Sequence, residues 1–213
     1  MTYEISPLTQ VSIWYIIIPN MESYTIAQFI DHTKQFNLKF LDYTTLSSIS
    51  GHTNKNTLYK IIQRLIKSNL IRRIGTSSKY VIRHRDYTEF ELANFVYSPS
   101  YIALESALSH YGILPQFSYS IVSMTTNKSK RFIFDDKEYI YSHISPKLFW
   151  GYEKQGNFLI STPEKSLIDS IYFYLKGNAS FDFGEFDLSS VNMERLKNQI
   201  LELYLNVSPY GGT

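Results

Sequence analysis

Residues 53–68 read TNKNTLYKIIQRLIKS, and their apolar and polar positions separate at helical spacing. Leu58, Ile61, Ile62 and Leu65 recur every three or four residues, which at about 100° per residue puts them on one stripe. Asn56, Lys60, Gln63 and Lys67 fall on the opposite side, with Tyr59 and Arg64 flanking them. That outward face carries cations and amides and no carboxylate. Thr53 or Asn54 can cap the N-terminus, Lys55 adds a cation in the first turn, and the spacing predicts a helix to about Asn69.

The flanking residues extend the pattern. Thr44 to Ser50 predicts a short helix, and Gly51-His52-Thr53 a turn in which glycine takes a positive φ. After the basic helix, Leu70 to Ile74 and Lys79 to Arg83 are β-rich stretches around Gly75-Thr76-Ser77-Ser78, a hairpin signal. An earlier helix, about Tyr24 to Phe36, would complete the core. Helix, helix, turn, basic helix, hairpin is the order of a winged helix-turn-helix. In that fold the second helix of the turn enters the major groove of double-stranded DNA. Asn56 or Gln63 could then pair with adenine, and Lys60, Arg64 and Lys67 could meet guanine or phosphate. Arg72, Arg73 and Lys79 would lie on the wing, along the backbone or an adjacent minor groove. The expected DNA-binding set is Thr53, Asn54, Lys55, Asn56, Tyr59, Lys60, Gln63, Arg64, Lys67, Arg72, Arg73 and Lys79. Winged helices also serve as protein-binding modules, a role that an acid-free outer face argues against.

Charge is distributed in the same sense. The chain has 21 Lys/Arg and 19 Asp/Glu, a formal net charge of +2. Tyr43 to Arg85 holds nine of the bases and no acid, which leaves 12 bases and 19 acids elsewhere. A basic segment is thus joined to an acidic remainder, as expected when one part meets a polyanion. A merely solvated basic face is the plain alternative.

With 213 residues, 44% of them hydrophobic, the chain can bury one medium core or two small ones. The absence of cysteine excludes disulfides, thiolate metal sites and a cysteine nucleophile, and suits a reducing cytoplasm. The longest apolar run, Val11 to Ile18 with Ser12 inside it, falls far short of the roughly 20 residues of a membrane span. The first basic residue is Lys34, so no charged secretory signal region is expected either. The expected location is the cytoplasm.

Past Arg85 the texture changes. Asp86 to Ser98 reads as a connection, acidic but apolar. Ser98-Pro99-Ser100 offers hydroxyl caps and an N1 proline for a helix that Gly112 closes. Ser118 to Thr125, Arg131 to Phe134, Glu138 to Ile144 and Phe158 to Ser161 are predicted strands. Then comes STPEKSLID, residues 161–169, with a hydroxyl, a base and two acids in nine positions. Thr162 before Pro163 is an N-cap before an N1 proline, and Glu164 sits where the helix dipole favours an acid. The acid is therefore explained without catalysis. A nuclease strand that holds Mg²⁺ has carboxylates followed by a Glu-x-Lys pair, whereas Glu164 and Lys165 are adjacent and on a strand would point to opposite faces. A last helix is expected near Asn192 to Leu205.

Three stretches carry a family resemblance: PSYIALESALSHYGILPQFSYSIVSMTTNKSKRF from Pro99, YIYSHISPKLFWGY from Tyr139, and ISTPEKSLIDSIYF from Ile160. In this order they resemble the AbiEi antitoxins of type IV abortive-infection toxin-antitoxin systems, which act in phage defence. The resemblance covers Pro99 to about Phe173, roughly a third of the chain. It implies a winged-helix domain that represses its own operon by binding operator repeats upstream of it, and a second domain that supports repression and carries the antitoxin activity. It also implies a nucleotidyltransferase toxin as functional partner, countered without a stable complex. The residues before Ser23 and after Gly177 have no match in that pattern.

The expectation is thus an α+β chain: an extension (1–23), a winged helix-turn-helix (24–85), a connection (86–98) and an AbiEi-like antitoxin domain (99–213). It is not expected to be an enzyme, and no cofactor or metal is expected. None of His32, His52, His84, His110 and His143 pairs with another at metal-ligand spacing, and phosphate-loop, dinucleotide and nucleophile-elbow strings are missing. Two other readings stay open: a regulator whose second domain binds a partner or ligand, with no toxin, and a Mg²⁺-dependent nuclease using Asp135, Asp136 or Glu164. Tyr139, Tyr141 and Tyr152 could supply a stacking surface for single strands, although half-buried strand positions explain tyrosine better. The run VSIWYIII from Val11 could be an added strand or helix, or a dimer contact.

Overall fold

Thr25 opens the first helix, α1 (Ile26–Gln35), with a capping box: its hydroxyl accepts from the Gln28 N–H while the Gln28 side chain accepts from the Thr25 N–H. The computed structural model describes residues 24–116 and 118–207, with side chains as far as 202. The extension 1–23, including the run Val11 to Ile18, lies outside the described residues. After α1 the chain forms β1 (Phe40–Leu41), α2 (Tyr43–Ser50), α3 (Lys55–Lys67), β2 (Ile71–Arg73) and β3 (Tyr80–Ile82). Asp42 caps α2 through its Oδ1, 2.8 Å from the Thr45 N–H, and Gly51 ends it in the left-handed region at φ 70°. The strands make a small antiparallel sheet in the order β1-β3-β2. Its core joins Phe29 of α1, Leu46 of α2, the apolar stripe of α3, and Ile71, Tyr80 and Ile82.

The stretch 86–98, expected as a connection, carries a helix, α4 (Glu89–Val96), capped by Thr88 with Glu91 in a second capping box. It buries Leu92, Ala93 and Val96 in a core that also holds Ile74, just past β2, and Val81 of β3. Beyond it lie β4 (Ser100–Ile102), α5 (Leu104–His110), β5 (Ile121–Thr125), β6 (Lys130–Phe134), β7 (Lys137–His143), β8 (Tyr152–Gln155), β9 (Phe158–Ser161), α6 (Pro163–Leu175) and α7 (Met193–Val207). The strands form one mixed sheet, ordered β6-β7-β5-β4-β9-β8, parallel at β5–β7 and β4–β9 and antiparallel elsewhere. α4 covers one face through Ile102, Ile121, Ile160, Tyr139 and Tyr141. On the other face Tyr101, Val122 and Met124 pack with Phe173 of α6. Leu108, Ile113, Leu167 and Leu196 then join α5, α6 and α7. Two sheets with helices packed on them are compatible with the expected α+β class.

One expected helix start is corrected. Ser98-Pro99-Ser100 does not cap a helix: Ser100–Ile102 is strand β4, and α5 begins at Leu104 behind Ala103, with no side-chain cap. The reason is long-range. Tyr101 and Ile102 are wholly buried between β5 and β9, and a strand that completes a buried sheet outweighs a cap of about 1 kcal/mol.

The two sheets meet at a seam. Phe40 of β1 stacks on Phe95 of α4 at 4.8 Å between centroids, and Lys39 Nζ lies 2.7 Å from Glu91 Oε1. Burial pushes the Glu91 carboxyl up, but hydrogen bonds from Lys39, the Thr88 N–H and Asn157 outweigh it and hold the group below its ordinary value. A depressed folded-state value contributes stability that is present above the unfolded value of about 4.3 and is lost as pH falls through the folded one. Glu91→Gln is therefore expected to lose about 1.5–3 kcal/mol at neutral pH. Thermal unfolding across pH should show its gap to the wild type closing below about pH 4; a constant gap would refute the assignment.

Candidate nucleic-acid interface

Asn54, rather than Thr53, caps α3: its side-chain oxygen accepts from the N–H groups of Asn56 at 2.9 Å and Thr57 at 3.3 Å. Leu58, Ile61, Ile62 and Leu65 are buried, each contributing about 1.5–3 kcal/mol as an upper estimate. That packing fixes the roll of the helix and turns its other side outward. Thr53, Lys55, Asn56, Tyr59, Lys60, Gln63, Arg64 and Lys67 are all exposed. Arg64 has a second task, donating from one guanidinium nitrogen to the Tyr24 carbonyl at 2.9 Å, which ties α3 to the start of α1. The sequence reading did not single out the hydroxyls of α2. Tyr43, Thr44, Ser47 and Ser48 line a groove of about 730 Å³ with Lys55 and Asn56. The signal for them was the run TTLSS, which spans more than one helical turn and so cannot turn all its hydroxyls to a core.

The expected wing cations separate. Arg73 is exposed at the end of β2, its Nε donating to the Ser77 carbonyl at 2.7 Å. Arg72 and Lys79 are only partly buried, but each is engaged by a partner outside the hairpin. Arg72 grips Asp135 with both arms, and its guanidinium carbon lies 4.4 Å from the Phe134 ring centroid. Lys79 donates to the Phe95 carbonyl and lies 4.8 Å from that ring, where burial holds its ammonium below the ordinary value. A phosphate would have to compete with these partners, and the competition is mild at the exposed Arg72–Asp135 pair. Arg72 thus joins the hairpin to the β6–β7 turn of the larger sheet, and Lys79 joins it to α4.

The other candidate residues do not converge on a chemical site. At the start of α6, Thr162 caps and Pro163 stands at N1. Glu164, Lys165 and Asp169 follow at 3%, 1% and 1% exposure, closed off from any substrate. Lys165 pairs with Asp169, which also accepts from the Tyr101 hydroxyl at 2.9 Å, and Lys165 Nζ lies 4.9 Å from the Trp150 ring. Burial raises the Asp169 carboxyl, against the lowering effect of Lys165 and Tyr101. Glu164 accepts from the Asn192 N–H at 3.0 Å and lies 3.8 Å from Arg195 Nε, so it joins the starts of α6 and α7. Asp135 and Asp136 sit in the exposed β6–β7 turn, both at positive φ, and Asp135 is held by Arg72. Among the described residues no three His, Asp or Glu side chains gather in a metal-binding group. Tyr139 and Tyr141 are each 1% exposed, which removes them from a stacking surface. A small cavity beside His110 is lined by Ser106, Ser109 and Ser118, but each hydroxyl donates to a backbone carbonyl and none to the imidazole.

The roof of the Lys165 pocket is Gly151, at φ 71°. A Cβ there would stand 2.9 Å from Lys165 Cγ and 3.0 Å from its Cβ and Cδ. The lysine stem is fixed by its ion pair and cannot retreat. Gly151→Ala is expected to cost about 1–3 kcal/mol through strain and overpacking, read as a lowered urea midpoint. An unchanged midpoint would show that the stem can shift.

No protein-family model matches the chain, and no curated protein is significantly similar to it. Among the described residues no helix is long and apolar enough to cross a membrane.

Proposed function

We propose that the protein is a cytoplasmic, sequence-specific DNA-binding repressor of the AbiEi antitoxin type, and that residues 24–85 are its winged helix-turn-helix. The observation that carries the reading is the face of α3. Asn56, Lys60, Gln63 and Lys67 are exposed together with no acid beside them, on a helix whose roll is set by a buried stripe. The order helix, strand, helix, helix, hairpin around a three-stranded sheet supports it. The resemblance of Pro99 to Phe173 to AbiEi antitoxins supports the rest: repression of its own operon through upstream repeats, and opposition to a nucleotidyltransferase toxin without a stable complex.

Fluorescence anisotropy with a labelled duplex from the gene's own upstream region, against a scrambled duplex and across a salt series, tests the reading. A preference of roughly 10³ or more is expected, with log K falling against log salt by about 0.9 per phosphate contacted. Equal weak binding to both duplexes would reject sequence-specific repression.

A further inference from the structure

The seam between the sheets is not closed along its whole length. Beside the Lys39–Glu91 pair opens a cleft of about 480 Å³, within the range of small-molecule sites. One wall comes from the small sheet, at Phe40 of β1. Phe40 stacks there on Phe95 of α4, so the two rings make one wall, and the other comes from the β8–β9 hairpin at Phe158. All three phenyl groups are half-buried, so an apolar surface faces a space that the described residues do not fill. Asn94 helps to hold this wall, donating to the Ser100 carbonyl at 3.2 Å and accepting from the Leu159 N–H.

The charges of the cleft are not balanced. Glu91 is compensated by Lys39, the Thr88 N–H and Asn157. Lys154 of β8 is exposed, and among the described residues it has no carboxylate partner. One ammonium is therefore left at the edge of an aromatic cavity with no acid to answer it. A bare anion would leave the phenyl groups uncovered, and a neutral apolar molecule would leave the ammonium unanswered.

We propose that this cleft binds a small planar aromatic anion, its ring among Phe40, Phe95 and Phe158 and its anionic group on Lys154. Edge and face contacts between rings favour a planar guest over an aliphatic one of equal size, and the ammonium fixes its direction. A nucleoside monophosphate and an aromatic carboxylate share this chemistry. Either would touch both sheets at once and resist the opening of the seam between them.

The test is isothermal titration and thermal unfolding of the full chain with AMP, GMP, benzoate and inorganic phosphate as separate probes. At least one aromatic probe should bind with a single saturable site and a Kd below roughly 1 mM, and should raise the Tm. The nucleotide and benzoate arms tell which source the site prefers. Inorganic phosphate should bind at least tenfold more weakly. Lys154→Glu, at an exposed position, should unfold like the wild type yet weaken the aromatic probe tenfold or more. The inference is overturned by silence from every aromatic probe, by phosphate binding as well as they do, or by unchanged affinity in Lys154→Glu.

Discussion

If α3 reads DNA as proposed, joint replacement of Asn56, Lys60 and Lys67 by alanine is expected to weaken operator binding and reduce operator preference while leaving the protein folded. Each side chain is exposed, and alanine is at least as good a helix former as the residue it replaces. The Tm should therefore stay within a few degrees of the wild type. If both lysines meet phosphates, their loss reduces the salt slope by roughly 1.8 and weakens binding to every duplex alike. Loss of the Asn56 amide removes about 1–3 kcal/mol of discrimination at one base pair. Together the expected loss for the native duplex is on the order of 10²–10³-fold. The two components separate in one experiment, because only the amide alters the ratio of native to scrambled duplex. Undiminished affinity in a folded triple variant would remove α3 from the interface.

The second large effect is expected far from any DNA. Lys165→Met takes the ammonium from a carboxylate that is 1% exposed and leaves Asp169 with Tyr101 alone. Breaking a buried pair at one end costs about 3–5 kcal/mol, which in a chain of this size lowers the Tm on the order of 10 °C. Lys165→Met combined with Asp169→Leu and Tyr101→Phe should recover most of that loss, since the ion pair and the buried hydroxyl that donates to it are removed together. A single variant within about 1 kcal/mol of the wild type would mean that Asp169 carries a proton in the folded state. The contrast with the first variant is that the most reactive-looking nine residues of the chain set stability, whereas the proposed DNA-binding face is a plain helix.

The parts legible in the sequence share a property: their shape is decided within one turn or one strand. The stripe Leu58, Ile61, Ile62, Leu65 needs only helical periodicity, and Thr162-Pro163-Glu164 needs only the chemistry of a helix start. Phe158–Ser161 and Pro163–Leu175 accordingly begin where the sequence puts them. What escaped depends on distant partners. β1 has two residues and exists because Phe40 and Leu41 pair with Val81 and Tyr80. β4 overrides a strong local cap because β5 and β9 close around it. Arg72 reads from the sequence as a free wing cation, whereas it pairs with Asp135, 63 positions away. No local pattern reveals which acid will stand opposite which base. The hydroxyls beside α3 were missed for a simpler reason, since serine and threonine carry no charge to draw attention.

The attachment of the hairpin by Arg72 and Lys79 has a geometric consequence. If the hairpin is a DNA-binding wing, tilting it on DNA would work against its contacts with the β6–β7 turn and α4, and would tend to carry the six-stranded sheet with it. On an operator, the bearing of that sheet around the duplex axis would be set by the hairpin. Copies on neighbouring repeats would then present their larger sheets to one another only when the repeats keep helical phase, about 10.5 base pairs or a multiple of it. Half a turn of added DNA would place the sheets on opposite sides of the duplex and leave each copy to bind alone.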